Sequence, residues 1–318
     1  MIRERKLGLA TRDAYGQMLI ELGKANRDIV VLDGDLSKST KTELFGKTYP
    51  DRFFNVGIAE ANLVGIASGL AASGKIPFIS SFSCFLICKG YDQLRMAVAF
   101  SELNVKVIAS HGGISVGEDG ASQQSIEDFA LAASLPHFAV LVPADEFATR
   151  SLIPQIATYP HPVYVRTCRP KAPIIHGKET RFEIGKGIQL REGKDVTIIA
   201  AGLLVFEALL ASDQLAAKGI QASVIDLHTI KPMDRNLIIR QAKQTGAIVV
   251  CEEHQIYGGL GSAVSEVAAE ECPVPMEFIA IRDTYAESGT AEELLDKYGL
   301  TAPHIVRAVD RVLARKRK

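Results

Sequence analysis

The sequence predicts an α/β protein made of two doubly wound domains. Three observations lead there. The chain has 318 residues, enough for about two domains. Short apolar runs alternate with amphipathic stretches of helical period through both halves, the pattern of strand and crossover helix. Between Lys171 and Lys186 that periodicity lapses, and Pro173 and Gly177 interrupt the chain. The expected domains are therefore 1–175 and 186–318.

Composition narrows the function. Hydrophobic residues make up 47% of the chain and the formal net charge is −1, so neither nucleic acid nor an anionic membrane is an obvious partner. Five cysteines, at 84, 88, 168, 251 and 272, form no two-residue metal spacing. That usage, with no secretory pattern and no apolar run of membrane-spanning length, gives a cytoplasmic reading. No metal site is expected on this chain. The basic tail 315–318 reads as a frayed, solvated end.

In the first half, Ala14, Met18, Leu19 and Leu22 share one face of a helix over 11–25, with Thr11 as its N-cap. A buried strand at 29–32 ends in the loop DGDLSKST (33–40), which reads as a strand-end loop at the carboxyl edge of a parallel sheet, where ligands tend to bind. This is not a P-loop, because Ser37 stands where the glycine before Lys38 belongs. A strand at 53–56 turns at Gly57 into a helix dense in small residues, NVGIAEANLVGIASGLAASG (55–74). Glycines 57, 65, 69 and 74 are expected to let another backbone come close. Glu60 lies in the first turn of this helix among apolar neighbours. It is either a half-solvated acid favoured by the helix dipole or a buried acid that exchanges a proton with a bound heterocycle.

A strand at 76–80 leads to Phe82 and Phe85, which are core residues or one wall of a flat pocket. The strand at 105–110 opens into the loop SHGGISVGEDG (110–120) and on to Gln123. This loop is either mobile with solvated charges or a binding loop, whose polar groups suit a sugar or polyol. Ser125 and Asp128 fit a capping box for the next helix. Strands follow at 139–142 and 163–166. The latter ends in RTCRP (166–170), where Arg166 and Arg169 are surface charges or a phosphate clamp.

The second half reads as a smaller unit: strands at 196–201, 222–227, 248–251 and 278–282, helices at 203–217, 234–245 and 261–271, and closing helices. The glycines in YGGLG (257–261) have the wrong spacing for a dinucleotide fingerprint and read as a tight turn.

Taken in order, the segments at 11–13, 34–40 and 57–60, the Phe82/Phe85/Tyr91-Asp92-Gln93 block, and the segments at 110–120, 166–170 and 252–254 resemble the C-terminal portion of transketolase. They span roughly residues 8 to 300. The resemblance implies a thiamine-diphosphate-binding, pyrimidine-type domain followed by a transketolase C-terminal domain. It implies that Glu60 hydrogen-bonds the pyrimidine nitrogen N1′, with Phe85 stacked on that ring, Phe82 nearby, and Asp35 and Leu36 on the thiazolium side. Arg12, Ser39, His111 and Arg169 match sugar-phosphate contacts, and Asp119 matches the residue for the acceptor's C2 hydroxyl. Gln123 stands where many members place histidine, and Ala61 where many have Gln or His. The family's diphosphate domain has no counterpart here. The resemblance thus implies a split transketolase that transfers a two-carbon ketol unit between sugar phosphates. A separate subunit would hold the diphosphate and a divalent metal such as Mg2+, in a heterotetramer with a homodimeric core. The alternative is the beta subunit of a 2-oxo-acid dehydrogenase decarboxylase, which shares the GIAE segment (57–60).

Overall fold

The computed structural model describes residues 5–316. Among the described residues, twelve strands fall into two sheets. They are β1 (Ile29–Asp33), β2 (Phe53–Asn55), β3 (Ile76–Phe82), β4 (Lys106–Ser110), β5 (Ala139–Leu141), β6 (Val163–Thr167), β7 (Ile188–Arg191), β8 (Val196–Ala200), β9 (Ala222–Asp226), β10 (Thr229–Lys231), β11 (Ile248–Gln255) and β12 (Met276–Ile281). The first sheet has the order β10-β5-β6-β4-β3-β1-β2, and the second β12-β11-β8-β9-β7. β1, β3, β4, β5 and β6 are buried on both faces or nearly so, as their mostly apolar runs allow, with Lys106 and Arg166 as buried exceptions. All pairings are parallel except β10 with β5 and β7 with β9.

Two strands lay outside the sequence reading. β7 closes one edge of the second sheet. β10 comes from the second half of the chain but joins the first sheet, pairing Thr229 with Leu141 and Lys231 with Val140. Without it the buried β5 would present open backbone groups, a costly edge to leave unpaired. Lys231 then anchors the strap, its Nζ donating to the carbonyls of Ala133 and Leu135 at 2.8 and 2.6 Å. The two sheets also share one apolar cluster, with Leu63, Val107 and Phe129 from the first half packed with Leu227, Val250 and Leu260 from the second.

Several local expectations are corrected. Helix Thr11–Ala25 forms, but Thr11 does not cap it; its hydroxyl accepts the Cys168 backbone N–H at 2.7 Å. The Ser125/Asp128 capping box is absent: the helix runs Asp128–Ser134, and the Asp128 carboxylate is buried against Arg166. Among the described residues, a Cβ at Gly57, Gly65, Gly69 or Gly74 would meet nothing within 4 Å, so no described backbone of this chain approaches there. Gly57 and Gly74 instead serve turns at φ of 75° and 86°. Arg315 and Lys316 are not frayed. They end helix Ala302–Lys316, with Arg315 paired to Glu277 and Lys316 donating to the Thr245 carbonyl. Residues 317–318 of that tail lie outside the described residues. The YGGLG stretch is a turn, and the carboxylate of Glu252 accepts the N–H groups of Leu260 and Gly261 where the next helix starts.

Candidate active site

The parallel register brings the carboxyl ends of four neighbouring strands, at Asp33, Phe82, Ser110 and Thr167, to one edge of the first sheet. Ligands of open α/β sheets bind outside such ends. Nearly every residue singled out from the sequence lies on the loops that leave this edge.

Glu60 is the first residue of helix Glu60–Ala72 and is buried, at 3% exposure. It is therefore not the half-solvated helix acid. Its Oε1 accepts the Ser81 hydroxyl at 3.1 Å, and Lys89 Nζ stands 3.7 Å from Oε2. A Cβ on Gly34 would sit 3.8 Å from Glu60 Oε1 and 3.3 Å from Ser81 Oγ, so the β1 loop passes close over the acid. Phe82 ends β3 and Phe85 lies in the first turn of helix Ser83–Lys89. Their rings lie nearly parallel, 5.6 Å apart at 20°. Phe85 is only partly buried, and Lys89 Nζ sits 4.3 Å from its ring centre. Lys89 was not anticipated. Its proximity to Glu60 depends on the turn of a helix 29 positions on, which no local pattern signals.

Asp35 adopts φ 67° and accepts the Asn55 side-chain N–H at 2.8 Å, while Asn55 accepts the Gly57 N–H. The loop after β1 is thereby tied to the turn that launches Glu60. Asp33 braces the same loop from below. It is fully buried and accepts the Leu36 backbone N–H at 2.6 Å and the hydroxyls of Thr40 and Thr42 at 2.7 Å each. Burial raises its pKa despite these three bonds. Asp33 was read only as part of a strand-end loop, since its partners lie up to nine residues away.

A second group faces the first. Arg12 Nη1 donates to the Ser39 carbonyl at 3.1 Å and lies 3.2 Å from His111 Nε2. Ser39 thus contributes its backbone. Arg12 Nε is buried and has no hydrogen-bond partner among the described residues. His111, at φ 59°, stacks on Phe82 at 3.8 Å and contacts Ser110 Oγ through Nδ1 at 2.9 Å. Burial and then the charges of Arg12, Arg169 and Lys41 push its pKa down to about 3, so the ring is neutral at pH 7. Because a guanidinium can only donate, Nε2 accepts from Arg12 Nη1, which places the ring proton on Nδ1 facing Ser110 Oγ. Arg169 donates to Glu118 at 2.7 Å and to the Val116 carbonyl. Asp119 is exposed at the mouth, near enough for its charge to act on Arg12. Gln123 is half-buried; its side-chain oxygen accepts the Ser122 hydroxyl, and its carbonyl accepts the Cys84 thiol.

Arg166 does not join this group. It is 5% exposed and forms a fork with Asp128, Nε to Oδ2 at 2.9 Å and Nη2 to Oδ1 at 2.6 Å. Its other donors meet the carbonyls of Glu253 and Ser125 at 2.8 and 2.7 Å. Every polar edge is engaged inside the protein, which rules out both the surface charge and the phosphate clamp at this position. The five cysteines are unpaired, and among the described residues no set of three His, Cys, Asp or Glu is placed to hold a metal ion. No described helix is long and apolar enough to cross a membrane.

The model of the transketolase pyrimidine-binding domain matches residues 8–174, and that of the transketolase C-terminal domain matches residues 185–305. The chain belongs to the transketolase family. A putative transketolase C-terminal section from Methanocaldococcus jannaschii is 46% identical, with 94% of each chain covered. A 6-deoxy-6-sulfo-D-fructose transketolase subunit from a Clostridium strain is 43% identical over 96% of this chain and 95% of its own length. Human transketolase is 40% identical, but the match spans only 48% of it, so this chain corresponds to about half of the animal enzyme. A split-gene transketolase solved as an inactive beta4 tetramer superposes with a TM-score of 0.91 at 49% identity, covering 97% of this chain and all of that one. The transketolase matches favour that family over the 2-oxo-acid dehydrogenase beta subunit.

Proposed function

We propose that this chain is the C-terminal subunit of a split transketolase, 1–175 forming its pyrimidine-binding domain and 186–318 its C-terminal domain. It would transfer a two-carbon ketol unit from a ketose phosphate to an aldose phosphate once joined to a diphosphate-binding subunit. The observation that carries this reading is the pairing of a buried Glu60 with the parallel Phe82 and Phe85 rings, opposite Arg12, His111 and Arg169.

The first half of that cleft fits the aminopyrimidine of thiamine diphosphate: an acid with one oxygen fixed by Ser81, a flat aromatic wall, and a glycine at 34 where a side chain would intrude. Bound there, the cofactor supplies a carbon nucleophile and an electron sink for the ketose carbonyl. Glu60 is the residue that holds and returns the proton at the ring nitrogen, and Phe85, supported by Phe82, orients that ring. Asp35 and Leu36 are assigned to the thiazolium side. Ser81 fixes the acid's geometry, and burial keeps bulk water away from it.

Arg12 and Arg169 are assigned to the anionic end of the sugar as charge-assisted donors. His111, neutral, and the Ser39 segment line the channel between. Asp119 is assigned to the acceptor's C2 hydroxyl and Gln123 to the donor's C1 hydroxyl, as a hydrogen-bonding group without proton transfer. The diphosphate and its Mg2+ are assigned to the partner, in a heterotetramer with a homodimeric core. The five free thiols suit a reducing cytoplasm.

Co-expression with a chain that carries a diphosphate-binding domain, followed by turnover of xylulose 5-phosphate with aldose phosphates, tests the reading. Thiamine-dependent ketol transfer supports it; turnover of pyruvate instead would reverse it. Because one relative is named for a sulfonated fructose, sulfonated ketoses belong in the same screen. Arg12 and Arg169 would hold either anion.

A further inference from the structure

The loop that carries His111 and Asp119 is held from its own domain by Arg169, on the Val116 carbonyl and Glu118, and by the Ser125 carbonyl, which accepts the Gly113 N–H at 2.7 Å. Its inner side rests on the second half of the chain. Glu253, near the end of β11, is 6% exposed, and its Oε1 accepts the Ser115 backbone N–H at 2.5 Å. A Cβ on Gly113 would stand 2.8 Å from Glu253 Cγ, so the loop closes on this carboxylate at a position, φ 79°, that suits glycine. Further along, Gln124 Nε2 donates to the Glu287 carbonyl at 3.1 Å. A Cβ on Gly120 would collide with Ser288 Oγ at 2.6 Å, and one on Gly117 would lie 3.2 Å from the Gly289 carbonyl. Ile114 belongs to the apolar core formed by Ala286, Leu294 and Leu295. The Glu253 carbonyl in turn accepts from Arg166, so the residue beside the loop is fixed to the first sheet as well.

We infer that Glu253 is a positioning residue for sugar-phosphate recognition: the second domain, through its carboxylate, sets the shape of the 111–120 loop in the cleft of the first. The inference rests on the proposed transketolase reading for its kinetic consequence, though its structural part stands alone. The carboxylate does not touch the cleft residues. It acts through the Ser115 N–H and the glycine at 113, from which the chain runs back two residues to His111 and on four residues from Ser115 to Asp119. An acceptor on a negative group is the stronger partner for a backbone N–H, and its removal leaves that N–H buried and unpaired.

The test uses three variants, E253A, E253Q and E253D, and two readouts. Amide hydrogen exchange over 112–120, on the chain and on its complex with the diphosphate-domain subunit, reports loop order. Steady-state kinetics of the complex report KM for the aldose phosphate, kcat, and the half-saturating thiamine diphosphate. E253A should lose loop protection and raise KM for the sugar phosphate about ten-fold, with cofactor affinity little changed. E253Q retains an acceptor oxygen and should stay within about three-fold of the parent. E253D keeps the charge but withdraws the oxygen by one methylene; it should lose loop protection as E253A does, and it decides the test if E253A does not fold. Loop protection unchanged in both E253A and E253D overturns the inference. So does E253Q failing as badly as E253A, or KM and cofactor affinity worsening in step. If the parent complex transfers no ketol unit, the function reading fails, and the exchange data still decide the loop's support.

Discussion

Replacing Asp128 with alanine strands a charge where water does not reach. Arg166 and Asp128 are 5% and 0% exposed and share two hydrogen bonds, and Tyr164 adds a third to the same carboxylate at 2.7 Å. Burial works against the Arg166 cation, yet the carboxylates of Asp128 and Glu253 outweigh it and its pKa is raised. Removing one partner of such a pair costs about 3–5 kcal/mol, because the remaining charge is uncompensated. With an unfolding entropy of about 2.1 cal/mol/K per residue, that corresponds to a Tm lowered by about 4–8 °C for a chain of this length. Differential scanning calorimetry of Asp128→Ala measures it directly. The companion is Asp128→Leu with Arg166→Met, which removes both charges at similar volume and should recover all but about 1–2 kcal/mol of the loss. A single variant losing under about 1 kcal/mol, or a double variant as unstable as the single, would refute the argument that the stranded charge sets the cost.

Glu60→Gln should leave assembly intact and lower ketol transfer by about 100- to 10,000-fold, the range for losing a positioned proton-transfer group; coupled turnover of the complex checks it. Arg169→Met should raise KM for the phosphorylated sugar by about ten-fold or more with a smaller effect on kcat, read from initial rates. His254 is buried, stacks on Phe129, and has its pKa pushed down to about 4 by burial. The unfolded chain therefore binds more protons between pH 6.5 and 4, and stability falls as pH drops through that window. His254→Gln should flatten the loss in urea titrations across it. Lys106, fully buried and donating to the carbonyls of Tyr159 and His161, has its pKa lowered to about 7 by burial. Here too the unfolded state holds the extra proton, so stability should rise from about pH 7 towards 10.5. Lys106→Met should remove that rise, measured as Tm against pH.

How far the sequence was readable differs by the kind of information each residue carries. Strands such as Lys106–Ser110 and helices such as Thr11–Ala25 announce themselves by period, because burial of one face or both is a local demand on composition. Glu60, Phe82 and Phe85 could be singled out as candidates because the acid opens the helix of a strand-turn-helix, and the rings follow at the end of the next strand and in the first turn of the helix after it. Arg166 was misread because its character comes from Asp128, 38 residues away, and from a carbonyl at 253. The GluGluHis segment at 252–254 matched a family pattern, but its work was invisible: Glu252 meets a helix start, Glu253 a loop of the other domain, and His254 the ring of Phe129. β10 was lost for a simpler reason. Three residues ahead of Pro232 are too few to show an alternation, and only the open side of β5 makes them a strand.

That borrowed strand bears on how the polypeptide can be cut and recombined. A fragment stopping near 175 would leave Ala139–Leu141 with a bare hydrogen-bonding rim, inviting a stranger's backbone to complete it. The halves are therefore poor candidates for shuffling as independent cassettes at the apparent hinge. A chimera that swaps the second unit should keep 229–231 native, or graft a replacement ribbon of the same polarity, if it is to remain monodisperse.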